Sequence, residues 1–497
     1  MREIEFKFGV LPAHAATIDT ALRRAQARRQ AIESRYFDTP DRRLAAAGLS
    51  LRLRRSSGTW EQTLKAPTGG LSERLEETAL RPGRWGTEGP PIDPSLHDGT
   101  AAGKRLREVL AEGGAAAPAG LEPVHTSTVM RRSIEIDAHG GRVEVAFDRG
   151  EIHAAAALAP VCEVEYELKG GDAGALVAFG KDGVRAHGLW LSTLSKSARG
   201  DRLSRGETVG PPVKAKPPVL NRGMAGPEIF RAVLRACLAQ VLANATEVGE
   251  GHRTAESIHQ LRVGIRRART AWRELAPLGP SVVADWETPL TEAFRALGAY
   301  RDRNTVVATL QARLAESGSP EPTLSLDAGE PPDPVEVVRD RAFQCALLDA
   351  IALTLPGPSD PGSPGPNDAL DFVASRLDRL HKHLKRAAKR FETSTPTDQH
   401  QARKRLKRLR YLGELAGSLY KPERTERYLE RLAPAQDALG AHIDLLVGLD
   451  IARASAEAGD AQAWFNVGWL TAQLAASAHG CRQALRRAAR AEPFWKR

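Results

Sequence analysis

Residues 3–8 carry the pattern that decides the fold of the N-terminal part of the chain: Glu3-Ile4-Glu5-Phe6-Lys7-Phe8. Successive side chains of a β-strand point to opposite faces, so this segment would have one charged and one apolar face. The same alternation recurs at residues 162–169, which read Cys162-Glu163-Val164-Glu165-Tyr166-Glu167-Leu168-Lys169. Both segments are therefore predicted to be β-strands with all their charges on one side.

Further predicted strands also sort their charges onto one face: two arginines in residues 51–54, two carboxylates in residues 143–148, and one acidic with one basic residue in residues 60–65 and 71–76. An antiparallel sheet with one wet face is the common explanation of such alternation. A closed barrel with its charged faces turned inward would instead form a tunnel for a metal cation and a polyanion. The pairing of like charges in strand after strand favours the tunnel, because exposed faces usually mix Thr, Ser, Gln and Lys.

The clearest domain boundary lies at residues 206–226, which read GETVGPPVKAKPPVLNRGMAG. Its two Pro pairs favour an extended linker over a helix. Apolar residues recur with a period of two before this stretch and with a period near 3.6 after it. We therefore predict an α+β domain at residues 1–205, a linker at 206–226 and an all-helical domain at 227–497.

An internal repeat is visible in the helical part. Residues 257–269 match residues 399–410 with His259 over His400, and residues 297–302 match residues 439–444 further along. Two elements that return in the same order at nearly the same offset indicate a duplication. The domain is predicted to be a duplicated helical bundle, with repeats at about 227–355 and 367–497.

Each repeat carries a basic stripe at helical spacing: His259, Arg262, Arg266 and Arg269 in the first, and His400, Arg403, Lys407 and Arg410 in the second. Residues three and four apart share one face of a helix, and like charges placed there repel one another. A solvated basic face would explain one such helix. The recurrence of the row without acidic partners favours an anion-binding site. The two histidines are either pH-tuned phosphate contacts or histidines buried between helices.

Composition limits the partners. The chain has 497 residues and a net charge of +10, so an anionic partner is expected. Aromatic residues make up only 5% and do not interleave with the basic stripes, which argues against a specific nucleic-acid partner. Four distant cysteines, no run long enough to span a bilayer and no signal-peptide core predict a cytoplasmic protein without membrane attachment.

The opening Glu3-x-Glu5-x-Lys7 resembles the CYTH superfamily of triphosphate tunnel metalloenzymes, and the likeness extends over about residues 1–205. Around His259 and His400 the second part resembles the CHAD domain, a helical module with conserved histidines. CYTH followed by CHAD is a familiar bacterial arrangement. The resemblance implies a closed antiparallel β-tunnel that hydrolyses short linear polyphosphates or related triphosphates with Mg²⁺ or Mn²⁺. It also implies that the helical domain binds inorganic polyphosphate through its basic helices.

A triphosphate carries about four negative charges, so its site needs several cations. Six basic residues are predicted to contact it: Arg52, Arg54, Lys65, Arg74, Arg132 and Lys196. Alternation lets only one of the adjacent Arg131 and Arg132 face inward, and Arg132 is the predicted one. Four further carboxylates are predicted to line the tunnel: Glu76, Glu144, Asp148 and Glu167.

The predicted metal ligands are Glu3, Glu5, Glu163 and Glu165. Glu163 or Glu165 would also orient or deprotonate a water for in-line attack on the terminal phosphorus. Lys7 would neutralise the leaving phosphate or pin a carboxylate, with a purely structural salt bridge as the rival role.

Inorganic triphosphate is the expected substrate of this predicted triphosphatase, with polyphosphate as the ligand of the helical domain. A polyphosphate-binding protein without turnover is one alternative. An adenylate cyclase or a thiamine triphosphatase, both known among CYTH relatives, is another. A cytoplasmic location, including association with polyphosphate granules, is compatible with these ligands.

Overall fold

The computed structural model describes residues 2–68, 70–71, 73–111, 120–280, 285–301, 306–320, 322–324, 330–355 and 364–496. The chain divides into two units. The first unit comprises Met1–Val213, Leu242–Ser257 and Val338–Leu355. The second comprises Lys214–Val241, Ile258–Val337 and Pro356–Arg497. Two segments that follow the linker in sequence therefore belong to the first unit.

Nine strands of the first unit form one antiparallel sheet: β1 Arg2–Gly9, β2 Arg28–Asp38, β3 Ser50–Ser56, β4 Thr59–Pro67, β5 Glu73–Arg81, β6 Glu122–Ala138, β7 Gly141–Ala154, β8 Ala157–Gly171 and β9 Trp190–Leu191. Their order is β5-β4-β3-β2-β6-β7-β8-β1-β9. Strand β1 also pairs with β5, with Glu3 opposite Arg74, and this pairing closes eight strands into a barrel. The predicted closed antiparallel barrel is confirmed.

The apolar residues of the barrel face outward and are covered by helices. Five α-helices are described in this part of the chain outside residues 69, 72 and 112–119: α1 Pro12–Arg24, α2 Arg43–Ala46, α3 Ala101–Ala111, α4 Gly174–His187 and α5 Lys196–Ser204. Leu51 and Leu64 are fully buried in a cluster with Leu44 of α2 and Leu106 and Val109 of α3. Because the hydrophobic core lies outside the barrel wall, the barrel interior is left to the polar faces of the strands.

Among the described residues, ten α-helices follow the linker: α6 Gly226–Gly249, α7 Ala255–Leu275, α8 Glu287–Arg301, α9 Ala308–Glu316, α10 Pro334–Arg339, α11 Arg341–Ala352, α12 Pro366–Arg390, α13 Pro396–Ala416, α14 Pro422–Glu457 and α15 Ala463–Ala489. The part of the C-terminal region that the structure describes consists of many helices and no strand, as predicted. Helix α11 lies in the first unit, where it packs against α4.

The internal repeat corresponds to two sets of helices. His259 lies on α7 and His400 on α13, and both helices have 21 residues. The preceding helices α6 and α12 have 24 and 25 residues. The second matched element lies on α8 and α14, although its residue Asp302 is outside the described residues. Each repeat therefore consists of three helices, α6 to α8 and α12 to α14, and the basic stripe lies on the second helix of each, α7 and α13.

Among the described helices, α6 has the length and apolar composition of a membrane-crossing helix. However, 67% of its apolar window is buried inside the protein. The core helices of folded domains are buried to a similar extent, so the length and composition of α6 are weak evidence for a membrane span.

Candidate functional site

The barrel encloses a charged cavity of about 410 Å³. All but two of the residues predicted for the tunnel line it: Glu3, Glu5, Lys7, Arg52, Arg54, Lys65, Arg74, Glu76, Glu144, Asp148, Glu165, Glu167 and Lys196. They meet there because period-two alternation gives each strand one inward face and the closed sheet turns all those faces to a common axis. The prediction that the acidic and basic faces share one enclosed space is confirmed.

One group of charges surrounds Lys65. Its Nζ lies 2.8 Å from Glu3 Oε2 and 2.7 Å from Glu76 Oε2, and Arg52 Nη2 lies 3.7 Å from Glu76 Oε1. Burial raises the pKa of Glu3 to about 8, against the effect of Lys65 and with help from its hydrogen bond to Glu76 and the charge of Glu5. Lys65 and the bond from Glu3 hold the pKa of Glu76 well below its usual value despite burial. In this hydrogen-bonded pair, the proton at neutral pH therefore belongs to Glu3, and Glu76 is ionised.

A second group surrounds Lys196 at the start of α5. Carboxylate oxygens of Asp148, Glu163 and Glu165 lie within 4.8 Å of one another. Lys196 Nζ contacts Glu163, lies 2.7 Å from Asp148 and lies 3.0 Å from Glu165. Lys7 Nζ lies 3.5 Å from both Glu163 and Glu165. Burial would raise the pKa values of Asp148 and Glu165, but the charges of Lys196 and Arg131 keep them below their usual range. Both carboxylates therefore stay ionised.

The cationic side of the cavity is not fully compensated. The Nε atom of Arg54 is buried and has no hydrogen-bond partner among the described residues. Burial, together with the charges of Arg52 and Arg131, lowers the pKa of Arg54 to about 10. Three guanidinium groups thus repel one another inside an enclosed space. An anion placed among them would relieve this repulsion.

The prediction for Arg132 was wrong. Arg131 lines the cavity, whereas Arg132 lines a separate groove and its Nε donates to Asp19 at 2.6 Å. The parity of β6 decides this point, since Arg131 lies opposite Asp148 in the ladder and Arg132 lies opposite Phe147, which is fully buried. Glu163 also does not line the open cavity. It is 2% exposed and contacts Lys7, Lys196 and Arg199.

Several lining residues were missed by the sequence reasoning: Arg28, Gln30, Ser34, Tyr36, Ser127, Arg131, Lys169, Ser195 and Ser197. Most are uncharged and give no charge pattern, although the parity of β2 would have found those of that strand. Tyr36 makes a hydrogen bond with Ser127, and although burial opposes it, the nearby Arg52, Lys196 and Arg54 lower its pKa. Lys169 binds Glu144 at 3.0 Å and Glu167 at 2.7 Å. These two carboxylates are therefore already paired within the protein.

The second unit contains a basic groove of about 490 Å³ formed largely by α7 and α13. Seven of the predicted stripe residues line it: His259, Arg262, Arg266, Arg269, His400, Arg403 and Lys407. Arg410 does not line the groove, and its Nε donates to Glu414 at 2.8 Å. Lys404, Arg408 and Tyr411 are present instead, because the 3.6-residue period carries the groove face away from position 410.

Two arginines of this basic groove stack on one aromatic ring. The guanidinium groups of Arg262 and Arg266 lie over the ring of Phe294, at 4.8 and 5.0 Å from its centre. Burial and the charges of Lys404, Arg403 and Lys407 lower the pKa of His400 below its ordinary 6.5. The groove therefore holds more positive charge than its few carboxylates, such as Asp444 at 3.9 Å from Arg403, can balance.

Comparison with known proteins finds two domain families in the chain. Residues 1–200 match the CYTH domain family and residues 232–453 match the CHAD domain family. An inorganic triphosphatase of Haemophilus influenzae is 25% identical over 206 residues, which is 40% of this chain and 54% of the relative. The chain therefore aligns with about half the length of this curated relative.

Two solved structures are similar in part. The CHAD domain from the plant Ricinus communis is 27% identical, with a TM-score of 0.42, over 56% of this chain and 96% of that one. A putative adenylyl cyclase from Hippeastrum, described as having a dominant triphosphatase activity, is 17% identical, with a TM-score of 0.28, over 42% of this chain and 97% of that one.

Proposed function

Since this chain carries a CYTH domain followed by a CHAD domain, we propose that its barrel hydrolyses inorganic triphosphate and that its basic groove binds inorganic polyphosphate. The inorganic triphosphatase of Haemophilus influenzae, which is similar over 206 residues, supports the same class of reaction. A cytoplasmic location stays a prediction.

One observation carries the proposal for the barrel: the buried Nε of Arg54 has no hydrogen-bond partner among the described residues, and Arg52 and Arg131 add like charge beside it in an enclosed cavity. A group of repelling guanidiniums is costly in a free protein and becomes favourable when a polyanion is bound. Arginine suits phosphate because its planar group donates two parallel hydrogen bonds to phosphate oxygens. A linear triphosphate, with about four negative charges, would pair with these arginines inside the cavity.

A divalent cation fits the other side of the cavity. Glu3 carries a proton there in its hydrogen bond to Glu76, with Glu5 close enough to raise the pKa of Glu3. Such a proton occupies the place of a missing positive charge, and hard oxygen ligands suit Mg²⁺ or Mn²⁺. In this proposal Glu3, Glu5 and Glu76 would hold the ion, which would supply charge neutralisation of the phosphate oxygens. Glu76 replaces the predicted ligands Glu163 and Glu165, which Lys7 and Lys196 already pair.

Residues around Lys196 would serve the attacking water and the phosphate. Glu165 is held ionised by Lys196, Arg131 and Lys7, so it is a weak base and a good acceptor that can orient a water. Lys7 lies between Glu163 and Glu165 and would pin these carboxylates in place. Arg52 and Arg54 would bind the transferred phosphate and stabilise its developing charge.

The activity test compares purified wild-type protein with the Glu5→Gln variant, using tripolyphosphate and either Mg²⁺, Mn²⁺ or EDTA. Wild-type protein should release phosphate with a metal and none with EDTA, and Glu5→Gln should lose at least about tenfold in rate. Glu33→Gln is the matched control, because Glu33 lies on a barrel strand but does not line the cavity. Equal rates for Glu5→Gln and wild-type protein would contradict the metal assignment.

The same assay separates the alternatives. Tight tripolyphosphate binding without phosphate release under either metal would identify a binding protein without turnover. Faster turnover of thiamine triphosphate, or formation of cyclic AMP from ATP, would identify the other two activities.

For the helical unit, we expect long-chain polyphosphate to bind at physiological salt and single-stranded DNA to compete poorly. The groove arginines can surround a phosphate chain, but the groove offers few aromatic faces for base stacking. Fluorescence polarisation of labelled polyphosphate, with unlabelled DNA as competitor, measures this. Equal displacement by DNA would contradict the assignment.

A further inference from the structure

The first unit includes two segments that follow the linker, residues 242–257 and 338–355. Both contact the short region around β9 and α5, which delivers Lys196 to the cavity. Lys196 is the cation shared by Asp148, Glu163 and Glu165. The position of this one ammonium group therefore depends on what holds α5.

On the β9 side, the contacts are hydrogen bonds to buried polar groups. The Leu191 amide donates to Gln344 Oε1 at 2.8 Å, and Gln344 is fully buried. The Thr193 amide donates to Thr246 Oγ1 at 3.0 Å. Residues beyond the linker thus fix the chain just before Lys196.

On the α5 side, the contact is a buried ion pair. Arg202 Nη1 lies 2.6 Å from Glu247 Oε1, and Glu247 is 4% exposed. The second oxygen of Glu247 accepts from the Gly210 amide at 3.0 Å and lies 3.2 Å from His252 Nδ1. A buried carboxylate with this many partners is a rigid anchor.

Helix α5 has nine residues, which is too short to be stable in isolation. Its first residue is Lys196 and its anchored residue is Arg202, so the helix transmits the position of the anchor to the cavity. Between them, Arg199 Nη2 lies 3.7 Å from Glu163 and 3.9 Å from Glu250, which gives a second and looser connection to the same segment.

We propose that Glu247, which lies beyond the linker, is a positioning residue that holds Lys196 in the cavity through Arg202 and helix α5. This inference rests on the proposed triphosphatase function for its kinetic consequence. The barrel sequence alone would then be insufficient for full activity, because the anchor of its own lysine comes from residues 242–257.

The test is a double-mutant cycle in the full-length chain, with Glu247→Gln, Lys196→Met and the double variant assayed for kcat and KM with tripolyphosphate. Glu247→Gln should lower kcat at least about tenfold alone and less than about twofold in the Lys196→Met background. Arg202→Gln should lower kcat about as much as Glu247→Gln does. Arg202→Lys, which keeps the positive charge, should retain much of the wild-type kcat. Multiplying effects in the double variant would overturn the proposal.

The matched control is Glu274→Gln. Like Glu247, Glu274 is a buried carboxylate that pairs with arginine, but it lies in the second unit, where its partners are Arg379 and Arg408. This variant should destabilise the protein without changing the kcat for tripolyphosphate. An equal loss of kcat in this control would overturn the proposal by showing a general effect of stability.

Hydrogen exchange gives a readout that needs no substrate. Glu247→Gln should speed amide exchange in residues 196–204 and leave helix α4 unchanged. If wild-type protein released no phosphate, the proposed function would fail, and exchange would still decide whether Glu247 anchors α5. Unchanged exchange in residues 196–204 would refute the anchor itself.

Discussion

Arg131 holds Asp148 by two hydrogen bonds, with its Nε and Nη2 atoms each donating to one carboxylate oxygen at 2.7 Å. Asp148 is fully buried, and Arg131 also contacts Glu165. This bidentate pair places a guanidinium at the boundary between the acidic group around Lys196 and the arginines of the phosphate side. Arg131 therefore contacts the acidic group directly and acts by its charge on Arg52 and Arg54.

We predict that Arg131→Lys lowers kcat/KM for tripolyphosphate at least about tenfold, because lysine cannot make the parallel pair of hydrogen bonds. Arg132→Lys, at the neighbouring position on the outer face, should stay within about twofold of wild-type protein. Phosphate release at limiting substrate measures both. A larger loss in the Arg132 variant would contradict the assignment of the inward face.

We predict that Arg54→Met stabilises the free protein. The folded protein lowers the pKa of Arg54 to about 10, so its charged form costs stability at every pH below that value. The midpoint of thermal unfolding should rise by about 2 °C. Tripolyphosphate should then stabilise the variant less than the wild-type protein, because an anion contact is missing. The exposed neighbour Arg55 supplies the control, since Arg55→Met should change neither quantity. A lowered midpoint for Arg54→Met would count against this account.

We predict that Mg²⁺ binding releases protons at neutral pH. Burial and the hydrogen bond to Glu76 raise the pKa of Glu3 to about 8, and a metal ligand must be deprotonated. About one proton should be released per ion near pH 7 and almost none near pH 9.5, with affinity rising between them. Titration calorimetry in Hepes and in Tris gives the proton count. Glu3→Gln should abolish the release, and an unchanged proton count in that variant would refute the role of Glu3.

We predict that polyphosphate binding strengthens as the pH falls from about 8 to 6. The pKa of His400 is lowered in the free protein by burial and by Lys404, Arg403 and Lys407, and a bound polyanion favours its protonated form. Binding therefore takes up protons. Polarisation titrations of wild-type protein and His400→Gln across this range measure the slope, which should be smaller in the variant. His383→Gln is the control, because His383 is not among the residues that line the groove. The same slope in His400→Gln and wild-type protein would exclude this histidine.

The sequence predicts the barrel residues well because alternation is a local property. Once Glu3, Glu5 and Lys7 are placed on one face of β1, no other arrangement is available to a regular strand. The prediction failed at the adjacent pair Arg131 and Arg132, where both faces of β6 offer an arginine. Only the pairing of β6 with β7 decides which of them meets Asp148.

In the basic helices too, spacing along the sequence predicted only part of the binding face. Spacings of three and four residues placed His400, Arg403 and Lys407 together, and the structure brings them into one groove. Arg410 follows the same spacing but lies next to Glu414, which takes its hydrogen bond. Lys404, four residues after His400, lines the groove and was not predicted. The width of the binding face depends on the neighbouring helices, which a single helical period does not describe.

The chain's own sequence determined the strands, the linker, the duplicated helices and the charged face of each element, because these follow from neighbours a few residues apart. Tertiary structure decided which charges meet. Glu247 anchors Arg202 from 45 residues away along the chain, and protonated Glu3 forms a hydrogen bond with Glu76 across the closing pair of strands. A buried charge is neutralised by whatever group the packing brings within a few ångströms, and sequence distance does not enter that balance.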